Sequence, residues 1–353
     1  MSKALSGRHL AEFLTVVIGW PLYLLTYSLV AARNLLYNKN KLKTVRAPAP
    51  VVSVGNITFG GTGKTPLIVW LLERLTKRGL RVGYVSRGYS RSVKQDIYLA
   101  PGDLISLEQV GDEALEIHSR VPSVYMAIGD SKSDIVSGWS AAKSLDLILV
   151  DDGFQHRRLQ RDIDIVLLDL SVPWSDYWLF PLGRSREPIS SLNRAKYVIA
   201  TKAETAHPDT AYQLESRGII NEKTPRAEYQ VLFAEEQSSI MNKKVLLVSG
   251  IGNPTQFEQS VKNAQIKVVY HKIFKDHYRY GVDSGSEIKR LLRLHGADMA
   301  ITTEKDWAKL KDFCSEDLPI SVARVQLAFV PPNFAETLIN DVCSLIEQNP
   351  VSR

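Results

Sequence analysis

Cysteine is almost missing from this chain: Cys314 and Cys343 are the two in 353 residues. Two thiols frame neither a disulfide-stapled fold nor a cysteine zinc cluster, and such scarcity fits a reducing compartment. Internal repeats and low-complexity tracts are missing too. Hydrophobic residues at 44% and charged residues at 23% exclude a disordered or collagen-like chain. The length is enough for one large or two modest domains. Excess charge is missing from most of the molecule. Residues 1–46 hold seven Lys/Arg (Lys3, Arg8, Arg33, Lys39, Lys41, Lys43 and Arg46) against Glu12, which accounts for the whole net charge of +6. The other 307 residues hold 37 basic and 37 acidic side chains. A neutral body argues against a polyanion-binding surface, so nucleic acid is not an expected partner.

That basic N-terminal segment, residues 1–46, reads as a membrane anchor with a basic flank. Phe13 to Ala32 is a run of 20 uncharged residues. As a helix it would be about 30 Å long, enough for the hydrocarbon core. Pro21 lacks a backbone donor and should kink or break that helix. Trp20, Tyr23 and Tyr27 form one stripe of rings suited to a headgroup layer. The cations from Arg33 to Arg46, with no acid among them, would sit against anionic lipid and hold the following chain on the cytoplasmic side. A cleaved signal peptide and a buried core helix are the competing readings. Spanning the bilayer and lying in its interface are both open.

After Ala47-Pro48-Ala49-Pro50 the chain alternates short apolar runs with helical patterns. Strands are expected at Val51–Val54, Arg81–Ser86, Ser123–Ala127, Leu145–Val150, Ile163–Leu168, Tyr197–Ala200, Lys244–Val248, Ile266–Tyr270, Met299–Thr302 and Ile320–Val325. Continuous Val/Ile/Leu runs with helices between them imply a mostly parallel sheet covered on both faces. A polar stretch at Glu235–Ser239 marks a boundary between a core at 47–234 and a smaller α/β domain at 235–353.

The strongest local signal is Thr58-Phe59-Gly60-Gly61-Thr62-Gly63-Lys64-Thr65, placed between a strand and a helix. Backbone N–H groups of such a loop cradle phosphates, with Lys64 on the β/γ-phosphates and Thr65 on Mg²⁺. Thr58 stands where the usual pattern has glycine. Leu147 to Val150 then delivers Asp151 and Asp152 to a strand end, where metal and phosphates bind in such sheets. Successive strand side chains point to opposite faces, so both acids serve one site only if the chain leaves strand geometry, which Gly153 would permit. Gly250-Ile251-Gly252-Asn253-Pro254-Thr255 lacks the third glycine of a dinucleotide fingerprint. Thr201-Lys202-Ala203-Glu204 is a poor match to a guanine-reading motif.

Seven segments taken together and in order resemble the tetraacyldisaccharide 4'-kinase family: Val54–Pro66, Ser86–Tyr89, Gly111–Ala114, Asp151–Asp162, Phe180–Pro188, Phe274–Tyr280 and Thr302–Asp306. The resemblance spans roughly residues 47–310, and no motif is matched after about Lys311. It implies an α/β fold with a P-loop NTPase-like core, a smaller C-terminal α/β domain closing over nucleotide, and an N-terminal membrane-associated helix. It also implies transfer of the γ-phosphoryl of ATP to the 4'-hydroxyl of lipid A disaccharide 1-phosphate, on the cytoplasmic face of the inner membrane of a Gram-negative bacterium.

Carried over residue by residue, the resemblance gives Thr58–Thr65 to ATP, and Asp151, Asp152 and Glu187 with Thr65 to Mg²⁺. Arg186 becomes a phosphate contact, and Asp112 with His277 handles the acceptor hydroxyl. Arg87, Gln155, His156 and Arg157 are offered as substrate contacts. Read alone, Asp112 is better taken as a helix N-cap, and His277 has the alternative of a solvated loop histidine. The competing function is a membrane-docked P-loop ATPase or GTPase switch, which would hydrolyse nucleotide without a small-molecule acceptor.

Overall fold

In the computed structural model the described residues are 15–89, 91–233, 237–276 and 278–348. His277, one of the expected catalytic residues, lies outside them, as do Phe13 and Leu14 at the start of the apolar run.

The first half carries α1 (Trp20–Asn38), β1 (Val51–Asn56), α2 (Lys64–Lys77), β2 (Val82–Ser86), β3 (Ile97–Leu99), α3 (Asp112–Arg120), β4 (Tyr125–Ile128), α4 (Lys132–Gly138), β5 (Leu147–Asp151), β6 (Ile163–Asp169) and β7 (Tyr197–Thr201). It continues through α5 (Pro208–Ser216) and β8 (Arg226–Phe233). The second half carries β9 (Lys244–Ser249), α6 (Pro254–Asn263), β10 (Lys267–Ile273), α7 (Ser284–His295), β11 (Met299–Thr303), α8 (Glu304–Leu310), β12 (Ile320–Val330) and α9 (Phe334–Gln348).

Among the described residues twelve strands join one sheet, in the order β10-β9-β11-β12-β8-β7-β6-β1-β5-β2-β4-β3. It is parallel except at β12–β8 and β3–β4. The expected strands are present within a few residues of their positions. β3 and β8 were not expected. β8 reads Arg-Ala-Glu-Tyr-Gln-Val-Leu-Phe and alternates between exposed and covered positions, as an antiparallel strand with one wet face does. The apolar runs that signal buried parallel strands are missing there.

The sheet's centre sets the site. β1 lies between β5 and β6, with Val54 beside Asp151. The carboxyl ends of β1 and β5 therefore deliver the glycine-rich loop and the acidic pair to one edge. α2 buries Leu67, Ile68, Leu71, Leu72 and Leu75 against this sheet, and Arg74 and Lys77 close its last turn, where cations complement the helix dipole.

Residues after Lys311, which carry no motif, bind the halves together. β12 pairs with β11 on one side and β8 on the other. Leu338, Ile339 and Val342 of α9 then pack into the same apolar core as Leu72 of α2. The stretch 235–353 is thus divided in packing: β9 to β11 have apolar layers of their own, while α9 returns to the P-loop helix.

α1 follows a wide π-helical turn at Thr15–Gly19, and Pro21 occupies its first turn, where no N–H is required. The break expected at Pro21 is not made: the winding changes between Gly19 and Trp20, and the helix continues through Pro21. No residue of α1 is buried. Among the described residues no helix is long and apolar enough to cross a membrane.

α3 meets the second half through charge. Arg120 donates to Glu73 of α2 at 2.9 Å and to Glu304 of α8 at 3.0 Å. Burial, then the charge of Glu304, pushes the Glu116 carboxyl from 4.5 up to about 7. A raised carboxyl contributes stability below its unfolded value, and that stability is lost as pH rises through the folded value. Glu116→Gln should therefore match the parent in urea unfolding at acid pH and exceed it above neutrality. Equal differences at both ends would refute the assignment.

Candidate active site

The loop after β1 is held by the segment around Arg186. Phe59 N–H donates to Arg184 O at 2.7 Å, Arg186 N–H donates to Ile57 O at 2.7 Å, and Thr58 bridges Ser185. Gly60 and Gly63 have φ of +116° and +88°, a region that disfavours side chains. A Cβ on Gly63 would also lie 2.0 Å from Tyr229 Oη, whereas nothing in the protein meets one on Gly61. Thr62 is buried and its hydroxyl has no partner within the protein. An open, donor-lined turn at a helix N-terminus is a cradle for phosphate.

Two cations converge on one neutral amide. Lys64 Nζ donates to Asn56 Oδ1 at 3.3 Å, and Arg186 Nη2 donates to the same oxygen at 2.5 Å. Arg186 also grips Asp152 with both terminal nitrogens, at 2.5 and 2.7 Å. Burial opposes ionisation of Asp152, but the Arg186 hydrogen bond and charge, with Lys64 and Lys132, hold it well below the carboxylate range. Asp151 is driven the other way. Burial pushes its carboxyl up against the pull of Lys64 and Lys132, and Tyr84 Oη donates to it at 3.0 Å.

These two acids diverge at Asp152, which has φ +48°. The departure from strand geometry is therefore made by Asp152 itself. Gly153 serves packing instead, since a Cβ there would lie 2.7 Å from Ser53 Oγ.

A family model for tetraacyldisaccharide-1-P 4'-kinase matches residues 15–343. A tetraacyldisaccharide 4'-kinase of Pelobacter propionicus is 34% identical over 343 residues, covering 94% of this chain and 92% of that protein. The chain belongs to the tetraacyldisaccharide 4'-kinase family. A namesake from Bdellovibrio bacteriovorus is 32% identical over 310 residues, covering 84% of this chain and 90% of that one. The crystal structure of LpxK from Aquifex aeolicus in complex with ATP is similar at a TM-score of 0.72 and 27% identity, over 92% of this chain and 98% of that one.

In this kinase the remaining expected residues fall into three groups. Gln155 and His156 stand at the cleft: Gln155 Nε2 donates to Asn56 O at 2.7 Å, and burial, with Lys132 and Arg87, pushes His156 down to about 3, leaving it neutral. Arg87 is exposed, close enough for its charge to be felt by Lys132 and His156. Asp112 is the first residue of α3, where Gly111 is the cap and makes no side-chain cap bond. Its carboxylate is buried and lies 3.6 Å from Lys309 Nζ, which also donates to Tyr278 O at 3.1 Å. The N-cap reading of Asp112 is thereby replaced by an ion pair linking α3 to the segment around 278.

Glu187 and Arg157 are engaged elsewhere. Both oxygens of the fully buried Glu187 carboxylate are taken, by Arg33 at 2.7 Å and by Arg194 at 2.8 Å, with Asn34 at 3.4 Å. A carboxylate so saturated has little left for a cation, and its task is to seat α1. Arg157 donates to Asn34 O at 3.0 Å and Asn38 Oδ1 at 2.7 Å, and so points at α1 too.

Mg²⁺ commonly uses one or two carboxylates and completes its shell with water and phosphate oxygens. Asp151 at the end of β5 would supply the carboxylate and Thr65, the second residue of α2, a hydroxyl. Among the described residues no three acid, histidine or cysteine side chains form a metal cage.

Three residues at the site were not expected. Lys132 is buried, donates to Asp152 O at 2.9 Å, and is pushed by burial down to about 8. Burial, then Asp151, pushes Glu113 up to about 7 against Lys64. Lys202, at φ +55°, donates to Gly61 O at 3.0 Å and to Asp169 at 2.5 Å, bracing the loop from β7. Glu113 lies inside the Gly111–Ala114 motif and was legible there; a lone Lys132 after a strand was not.

The two glycines give a separable test. Gly63→Ala should lower both thermal stability and ATP binding, because the protein itself obstructs the new methyl. Gly61→Ala should lower ATP binding alone, because only a phosphate would meet it. Thermal melts and nucleotide titration read both, and equal melting losses would contradict this loop geometry.

Proposed function

We propose that the protein transfers the γ-phosphoryl of ATP to the 4'-hydroxyl of lipid A disaccharide 1-phosphate, giving lipid IVA at the cytoplasmic face of the inner membrane. The observation that carries the reading is the convergence of Lys64 and Arg186 on Asn56, in the mouth of the glycine-rich loop and beside Asp151. Membership of the family supplies the acceptor: its members are named for the tetraacyldisaccharide.

Phosphoryl transfer passes through a loose transition state, so catalysis is alignment plus charge cancellation. Lys64 is held by a neutral amide and keeps its charge for the β/γ-phosphates. Arg186 is oriented by Asp152 and Asn56, which fixes its planar fork toward the transferring group. Mg²⁺, held by Asp151 and Thr65, would add charge neutralisation on the phosphate oxygens. Asp112 orients the acceptor hydroxyl and collects its proton late, with His277 as its partner. Lys309 ties Asp112 to the segment that carries His277, so closing of the two halves brings the acceptor hydroxyl and the phosphate together. The exposed apolar residues of α1, among them Leu22, Leu25 and Leu29, would rest in the bilayer interface where the acyl chains of the acceptor remain.

The test is transfer of labelled γ-phosphate from ATP to lipid A disaccharide 1-phosphate in detergent. Lys64→Ala should lower kcat by about 10³-fold or more, and Thr65→Ala should also remove most transfer. Near-normal turnover of either variant at saturating Mg·ATP would refute the loop's role. Nucleotide hydrolysis that proceeds equally without the disaccharide would favour the switch reading instead.

A further inference from the structure

A cavity of about 400 Å³ opens where the end of α1 meets the body, and its polar wall is built by Thr44, Arg46, Arg157, Gln160, Arg161 and Asp162. Three guanidinium groups face one carboxylate. That carboxylate, Asp162, is already occupied by Val51 N–H at 2.7 Å. Arg161 is neutralised by Asp164, which it meets at 2.8 and 3.1 Å. Among the described residues neither of the other two is ion-paired, although Arg157 feels the charge of Glu187. Arg157 has only neutral acceptors, Asn34 O and Asn38 Oδ1, and lies 5.1 Å over the Tyr37 ring. Arg46 is exposed. Burial, then the like charges of Arg194 and Arg161, pushes Arg157 down to about 10, which marks how crowded the cations are. A solvent-open polar pocket with guanidinium groups that no carboxylate pairs is a receptor for an anion, and guanidinium matches phosphate geometry in particular.

The cavity is not part of the ATP site. Val51 lines it at the start of β1, whereas Asn56 at the other end of β1 meets Lys64 and Arg186. Five residue steps of extended chain separate these ends by about 17 Å. It lies instead where exposed apolar side chains of α1 give way to Lys39, Lys41, Lys43 and Arg46. Phosphates lie at that level of a bilayer, between hydrocarbon and water.

We propose that this cavity binds a lipid-borne phosphate group through Arg46 and Arg157. Two lipids present that chemistry: an anionic phospholipid of the surrounding leaflet, and the acceptor through its own 1-phosphate. The second source rests on the function proposed above; the first does not.

The full-length protein is tested with phosphatidylcholine vesicles containing no phosphatidylglycerol or about a third of it, and in detergent with the acceptor. Variants are Arg46→Gln, Arg157→Gln and their double, with Lys41→Gln/Lys43→Gln as a charge-matched control outside the cavity. Arg157→Lys keeps the charge should Arg157→Gln loosen α1, and melting curves identify that case. Loss of about tenfold or more in phosphatidylglycerol-dependent binding by the double variant, with acceptor KM within about twofold, assigns the phosphate to the leaflet. A rise of about tenfold in acceptor KM, with kcat and vesicle binding kept, assigns it to the acceptor. The proposal is overturned if the double variant changes neither quantity, or if the control pair loses as much vesicle binding. The vesicle arm needs no turnover, so absence of kinase activity in the parent protein would refute the function and leave the cavity's test intact.

Discussion

The bidentate grip of Arg186 on Asp152 organises this site, because three chain segments meet in it. The guanidinium reaches Asp152 after β5 and Asn56 at the end of β1, while its own backbone N–H closes on Ile57 at the start of the glycine-rich loop. The charged pair is half-buried, which makes it costly to break: either partner left alone would be a poorly solvated charge. It also explains the left-handed backbone at Asp152, a strained conformation that persists only where the surroundings over-determine it. With Asp152 so engaged, Asp151 is the acid left for other work, and its raised carboxyl records the cost of keeping a charge there without its own guanidinium.

A second consequence concerns α1. The residue after Arg186 is Glu187, wholly buried and closed by Arg33 from α1 and Arg194 from the following turn. The helix that exposes apolar surface is thereby tied, one residue along the chain, to Arg186, which grips Asp152 and Asn56. Removing α1 would strip Glu187 of one of its two guanidiniums. The N-terminal segment and the chemistry, which segregate cleanly in the sequence, are therefore coupled in the fold.

Much of this was legible in the sequence where periodicity and residue type coincide. Val51–Val54 and Leu147–Val150 are apolar runs that only a covered parallel strand demands, and the loop between Thr58 and Thr65 announces its function through glycine spacing and a terminal Lys-Thr. Roles that depend on which cation reaches which acid were not legible. Glu187 follows an arginine inside the Phe180–Pro188 segment, and nothing local says that Arg33, 154 positions away, will help saturate it. Lys132 begins α4 after β4 and Lys202 follows β7, each indistinguishable in sequence from a solvated lysine; only the sheet order, with β2 between β4 and β5 and β6 between β7 and β1, carries Lys132 to Asp152 O and Lys202 to the loop. β8 was missed because an antiparallel strand with a wet face has no continuous apolar run.

The helix α3 concentrates the remaining tension. It presents Asp112, Glu113 and Glu116 within five residues, and each has a different counterpart: Lys309 for Asp112, the Lys64 and Asp151 charges for Glu113, and Glu304 with Lys305 and Arg120 for Glu116. Three of those counterparts, Lys309, Glu304 and Lys305, stand on α8 in the second half. A rigid sheet continuous through β12 and β8 holds the halves in register, yet the charges facing each other across α3 and α8 are unevenly matched, with Glu113 and Glu116 both raised. α3 therefore joins the glycine-rich-loop half to α8 through both matched and unmatched charge, and Lys309 is the link that reaches Asp112 as well as Tyr278 O.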